Sequence, residues 1–220
     1  MDMLDTILRF FQTGGAFMYP IAVVLVIGVA IAIERWLVLT AAKGANKKAF
    51  DQLLPALNKG EYAKIVEGST RSSIPMYRIV GAGLARFSTS NRRDDVEYAM
   101  EEGIMEALPR LEKRTPYLAT LANISTLLGL LGTIIGLIAA FSAVANADPA
   151  EKATLLSNSI SVAMNTTAFG LISAIPLLLF HSLLQTKTSE IVDSLEMAGV
   201  KVLNALGNKQ VVRTRQADNK

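Results

Sequence analysis

The sequence predicts an all-α integral membrane protein with three transmembrane helices, N-terminus out and C-terminus in. A helical cytoplasmic domain is expected from the long loop and from extensions of the transmembrane helices. Three observations lead there. First, residues 10–33, 115–147 and 153–186 contain no Lys, Arg, Asp or Glu. A hydrocarbon core about 30 Å thick takes roughly 20 apolar residues at about 1.5 Å rise each, and every run exceeds that. Soluble helices are shorter, roughly 10–14 residues, and show a polar face. Second, the chain is 51% hydrophobic with a mean hydropathy of +0.36, high for a soluble protein yet too low for the whole chain to lie in lipid. Third, of the 22 basic residues only Arg9 and Lys152 fall outside residues 35–114 and 187–220. The positive-inside rule assigns both of those regions to the cytoplasm.

Residues 1–13 read as a periplasmic amphipathic helix, with Leu4, Ile7, Leu8 and Phe11 on one side and Asp2, Asp5, Arg9 and Gln12 on the other. Asp2 and Asp5 stand where a signal peptide would be basic, so the apolar run that follows is read as a retained span. Residues 14–39 form transmembrane helix 1, opened by Gly14-Gly15, with Pro20 in its first turn. Tyr19 and Trp36 sit at the levels of the aromatic belts, and Glu34-Arg35 sit at the cytoplasmic border as an ion pair or snorkelling anchor.

Residues 40–115 read as the cytoplasmic helical domain. A helix over 46–57 presents Phe50, Leu53, Leu54 and Leu57 and is broken by Asn58-Lys59-Gly60. Short helices over 62–66 and 74–87 follow. A last one starts near residue 91 with Val96, Met100, Ile104, Leu108 and Leu111 at helical spacing, and leads with little interruption, Pro109 and Pro116 apart, into transmembrane helix 2 at 116–145. The charge-free run there corresponds to about 50 Å of helix, longer than a bilayer core, so it is expected to begin inside the cytoplasmic bundle. A periplasmic loop at 146–157, transmembrane helix 3 at 158–186 with a kink at Pro176, and a cytoplasmic C-terminal helix and tail at 187–220 complete the chain.

The composition removes several function classes. A net charge of +3, with acids interleaved among the bases as in Arg92-Arg93-Asp94-Asp95, gives no track for nucleic acid. Zero cysteines exclude disulfides, thiolate metal sites and cysteine nucleophiles. There is no acid/histidine cluster, serine triad or phosphate loop, and Gly81-Ala-Gly83 is too short to count, so neither an enzyme nor a cofactor is expected.

The polar residues inside the spans carry the remaining information. At about 100° per residue, Ala122, Thr126, Gly129, Thr133, Gly136 and Ala140 fall within about 80° of one another, making a small, hydroxylated face. Gly132 adds to the small residues of this helix. In helix 3, Ser159, Ala163, Thr166, Gly170 and Ser173 share a face, with Thr167 and Ala174 on its flank. Such faces suit close helix approach, with the hydroxyls bonded back to their own helices. They equally suit a narrow polar path lined by Thr133, Thr166 and Thr167, with Asn165 close by. No carboxylate lies in any span, whereas ion pathways usually include an ionisable intramembrane group. An ion pathway here would therefore need a carboxylate from another polypeptide. His181 is the single histidine and sits near the cytoplasmic end of helix 3, where a packing role is favoured over proton relay.

Taken together, Gly14-Gly15 through Tyr19-Pro20-Ile21, Glu34-Arg35, the string from Leu127 to Gly136, and Thr166-Thr167-Ala168-Phe169-Gly170 with Ala174-Ile175-Pro176 resemble the MotA/TolQ/ExbB family of ion-channel subunits. The likeness covers roughly residues 10–205, and three spans in 220 residues look like the ExbB/TolQ branch. The resemblance implies a ring of five copies in the bacterial inner membrane around a dimer of a single-span ExbD/TolR-like protein that brings an intramembrane Asp. It implies that proton flow drives work on a TonB/TolA-like periplasm-spanning protein. Thr133 and Thr167 match the family threonines that face the Asp. Val162 stands where many relatives carry a Glu, and Ser125-Thr126 replace a common Ala-Pro. Thr166 beside Thr167 is similar to sodium-driven stators, which keeps Na⁺ at Thr133, Thr166 and Thr167 as an alternative. The rival reading is a non-conducting membrane scaffold that holds partner helices.

Overall fold

A computed structural model of the chain describes residues 10–11, 14–90, 92–145 and 147–218, with side chains as far as residue 207. The amphipathic helix expected at 1–13 therefore lies outside the described residues, except for Phe10 and Phe11. Six helices are present among the described residues: α1 Met18–Lys59, α2 Tyr62–Arg71, α3 Pro75–Thr89, α4 Arg93–Glu112, α5 Thr115–Ala145 and α6 Lys152–Asp218. Three helical stretches are long and apolar enough to cross a membrane.

One of these helices is longer than the sequence suggests. Span 1 and the helix over 46–57 are one helix, and α1 runs unbroken for 42 residues. Ala41, Ala42 and Ala45 are strong helix formers, and the single Gly44 among them lowers helix stability by only about 1 kcal/mol. The helix stops at Gly60, whose φ of 81° is open to glycine. There the amides of Gly60 and Glu61 reach back to the carbonyls of Leu57 (3.1 Å) and Ala56 (3.0 Å), which is the Schellman closure. Between α4 and α5 the interruption is as small as expected, a turn of two residues. Pro109 is absorbed inside α4, and the break falls at Lys113-Arg114, where Arg114 takes a φ of 66°. Pro116 restricts the backbone before it and lacks the amide that would continue the ladder, which together with the left-handed Arg114 favours a new helix start here.

Contacts divide the chain into two compact units. The first comprises Met1–Arg35 and Arg114–Leu184. Its core gathers Met18, Ile21 and Phe169, with Phe10, Phe11, Leu25 and Leu128 packed around them. Outside that core, Val23, Val26 and Ile33 of α1, Leu127, Leu130, Ile138 and Phe141 of α5, and Met164, Ile172 and Leu179 of α6 are all exposed. A single chain in water does not sustain so much apolar surface, whereas lipid and neighbouring helices do. Glu34 pairs with Arg114 at 3.0 Å, and the adjacent Arg35 is buried.

The second unit comprises Trp36–Lys113 and Gln185–Lys220. Leu39, Leu53, Ile79, Val80, Leu84, Ile191 and Leu195 form its buried interior. Two contacts join α1 to α6. Lys187 lies 3.7 Å above the Trp36 ring and donates to Thr40 (2.6 Å), and Lys43 pairs with Glu190 (2.7 Å). The Lys43 ammonium holds the Glu190 carboxyl below its ordinary range. The N-terminus of α3 receives its cap from α1, where buried Asn46 accepts from the Met76 amide (3.1 Å). A groove of about 770 Å³ is lined by α2, α3 and α4. Its Arg78 is already matched by Glu106 at 2.8 Å.

Candidate functional site

Within the first unit, α5 and α6 meet through their glycines. A Cβ at Gly170 would lie 2.8 Å from the Ser125 carbonyl oxygen and 3.1 Å from Gly129 Cα. One at Gly129 would lie 3.2 Å from Thr167 Cα and 3.3 Å from the Thr166 carbonyl oxygen. Further along, Gly132 faces the Thr166 methyl, and a Cβ at Gly136 would sit 2.9 Å from Ala163 Cβ. Residue number rises on one helix as it falls on the other, so the pair is antiparallel. Because the glycines lack side chains, backbone meets backbone and hydroxyls reach across.

Each threonine has a distinct setting. The Thr167 hydroxyl crosses the contact and donates to the Gly129 carbonyl (2.9 Å); the residue is half-buried. Thr166 is 2% exposed, with its hydroxyl between the carbonyls of Gly14 (2.6 Å) and Val162 (3.0 Å). Thr133 is half-buried and donates within its own helix to Leu130 (2.6 Å). Thr126 is exposed and donates to Ala122 (3.2 Å). Every one of these hydroxyl protons is directed to a carbonyl of the same chain. The oxygen lone pairs of Thr133 and Thr167 still remain to accept a proton donor or to coordinate a cation.

On α6 the buried residues include Ala163, Thr166, Gly170 and Ser173, the face read from the sequence, with Ser159 and Asn165 half-buried. On α5 the buried arc runs through Leu118, Ala122, Ser125, Gly129, Gly132 and Ala140, with Gly136 half-buried. It is centred about 30° round the helix from the stripe that contains Thr126 and Thr133. Those two threonines therefore lie at the margin of the contact rather than in its middle, and Ser125 takes the buried place. Sequence reasoning passed over Ser125, and its neighbour Thr126 gave the stronger signal because it fits the glycine spacing. The hydroxyls of Ser125 and Ser173 are buried with no hydrogen-bond partner among the described residues.

Two antiparallel apolar helices packed through glycine, with threonine hydroxyls at the seam, are an arrangement that suits a multi-span membrane protein. Residues 71–197 match the MotA/TolQ/ExbB proton channel family, and the chain belongs to that family. It is 31% identical over 179 residues to the biopolymer transport protein exbB1 of Vibrio cholerae, covering 79% of this chain and 76% of that one. Against an ExbB homolog from Methanothermobacter thermautotrophicus the identity is 28% over 202 residues, 90% of this chain and 69% of the other. Against the Tol-Pal system protein TolQ of Haemophilus influenzae it is 36% over 95 residues, 42% of this chain and 40% of that one. These likenesses put the chain on the ExbB/TolQ side of the family.

Proposed function

We propose that this chain is the multi-span subunit of an inner-membrane motor, and that it couples the proton motive force to a periplasm-spanning TonB- or TolA-like partner. The carrying observation is the placing of Thr133 and Thr167: hydroxyls at and beside a glycine-packed seam, on apolar stretches, residues 115–147 and 153–186, without a single Lys, Arg, Asp or Glu. Their lone pairs suit a protonated carboxyl or a bare cation, and the carboxyl must come from elsewhere. A dimer of a single-span ExbD/TolR-like protein with an intramembrane Asp supplies it, inside a ring of five copies of this chain. Asn165, half-buried on α6, flanks the path.

An ionised Asp in lipid costs a few kcal/mol, and neutralisation by a proton, or pairing with a cation beside the threonines, removes that cost. Each charge that crosses yields about 2.3 kcal/mol per 100 mV. The family's name speaks for protons; sodium at Thr133 and Thr167 is the alternative ion. The distribution of basic residues supports an N-out, C-in orientation with residues 40–115 and 187–220 in the cytoplasm. Uptake through a TonB-type system and envelope maintenance of the Tol type are the two processes such a motor serves.

A scaffold reading draws support from the Thr167–Gly129 hydrogen bond, which gives the Thr167 hydroxyl a packing role. The two readings separate by mutation. Thr133→Val and Thr167→Val abolish energised work while the assembly survives if the motor reading holds. If both variants work normally while Gly132→Leu is severe, the scaffold reading replaces it.

A further inference from the structure

Of the three threonines that distinguish the seam, Thr166 differs from the others in what its hydroxyl binds. It reaches the carbonyl of Gly14, 152 residues away in sequence, at 2.6 Å, and the residue is 2% exposed. Around this bond the N-terminal approach to α1 is folded onto α6. Gly15 turns with a φ of 76°, and a Cβ there would lie 3.1 Å from Val162. Phe10 and Phe11 stack edge-on against Phe169, with centroids 6.2 Å and 5.0 Å away. Phe17 and the Thr166 methyl both close on Gly132 of α5. One residue further along α6, Thr167 makes its bond to Gly129.

We infer that Thr166 is a positioning residue rather than an ion ligand: its hydroxyl fastens the Gly14-Gly15 turn to α6 and so braces the helical turn that presents Thr167 to Gly129. A ligand to a passing ion must offer its oxygen toward the path. The Thr166 oxygen is enclosed between two carbonyls and packed against α5 and the Gly14 turn. A buried carbonyl such as that of Gly14 is unfavourable without a donor, and the hydroxyl is the donor that folding supplies. The Thr166-Thr167 pair, which by sequence alone suggests a sodium site, is by geometry one anchor and one seam hydroxyl.

The effect on coupling rests on the motor reading; the anchoring itself does not. The test is amide hydrogen exchange over residues 14–21 in the purified full assembly, together with the sodium and pH dependence of energised activity. Thr166→Val keeps the shape and removes the donor. It is expected to speed exchange there roughly ten- to hundredfold and to lower coupling, with the sodium and pH dependence of the residual activity unchanged. Thr166→Ser restores slow exchange and coupling. Gly15→Ala strains the same turn from the other end and gives the same exchange signature, which decides the matter if Thr166→Val does not assemble. Unchanged exchange in Thr166→Val, or in Gly15→Ala where only that variant assembles, overturns the inference. So does a shifted sodium or pH dependence in Thr166→Val. If instead Thr133→Val retains full activity while the exchange results hold, the motor reading fails and the anchor stands.

Discussion

The Thr167 hydroxyl donates to the Gly129 carbonyl at 2.9 Å, across two helices whose backbones nearly touch. That bond exists because neither Gly129 nor Gly170 carries a side chain. Gly170→Ala would set a methyl 2.8 Å from a carbonyl oxygen and 3.1 Å from a Cα, both backbone atoms that cannot swing aside. A destabilisation of about 1–3 kcal/mol is expected, read as a lower melting temperature of the detergent-solubilised assembly. Gly44→Ala is the matched control: nothing lies within 4 Å of its Cβ position, and alanine in a helix interior is better than glycine by about 0.5–1 kcal/mol. It raises the melting temperature.

Asn46 caps α3 from another helix. Asn46→Ala leaves the Met76 amide without its acceptor and is expected to destabilise by about 1 kcal/mol. Asn46→Asp keeps an acceptor oxygen at the same place and loses less. Denaturant titration of both variants, compared by midpoint, ranks them.

Arg114 holds a left-handed φ of 66°, unfavourable by about 1–2 kcal/mol for a residue with a Cβ. Its ion pair with Glu34 is half-exposed and contributes little. Arg114→Gly should therefore be more stable than Arg114→Ala by about 1 kcal/mol. Equal melting temperatures for the two would contradict the turn geometry.

The Lys43–Glu190 contact is sensitive to acid. The ammonium lowers the Glu190 pKa, so the pair's contribution is fully present above the ordinary carboxylate range. It is lost as pH falls through the lowered value. Both side chains are about half-exposed, which makes the energetic effect small. A spin-label distance between α1 and α6 near these residues is expected to hold at neutral pH and to broaden in acid. In Glu190→Gln that pH dependence disappears.

The three apolar helices were legible because hydrophobic length is a property of sequence alone, and 33 residues without a charge leave few alternatives. The family was legible from the glycine-threonine strings of α5 and α6. The settings of individual hydroxyls were not. The buried arc of α5 is fixed by where α6 and the Gly14 turn press on it. Helical spacing identified the small-residue stripe, and the arc buried within this chain is centred about 30° from it, with Ser125 rather than Thr126 inside the contact. The Thr166–Gly14 bond joins residues that no local pattern relates. The Asn46 cap went unread for the same reason, since a capping side chain is normally sought next to the helix it caps. The break at Arg114 lies two residues before Pro116, one of the two prolines read as interruptions of this stretch.

Ion flux in proteoliposomes measures the central claim most directly. This chain is reconstituted alone and together with a single-span partner that bears an intramembrane Asp. Flux under an imposed potential is expected only when both are present, and it should vanish with Thr133→Val in the full assembly. Equal flux from this chain alone would contradict the account, because the seam would then conduct without a carboxylate.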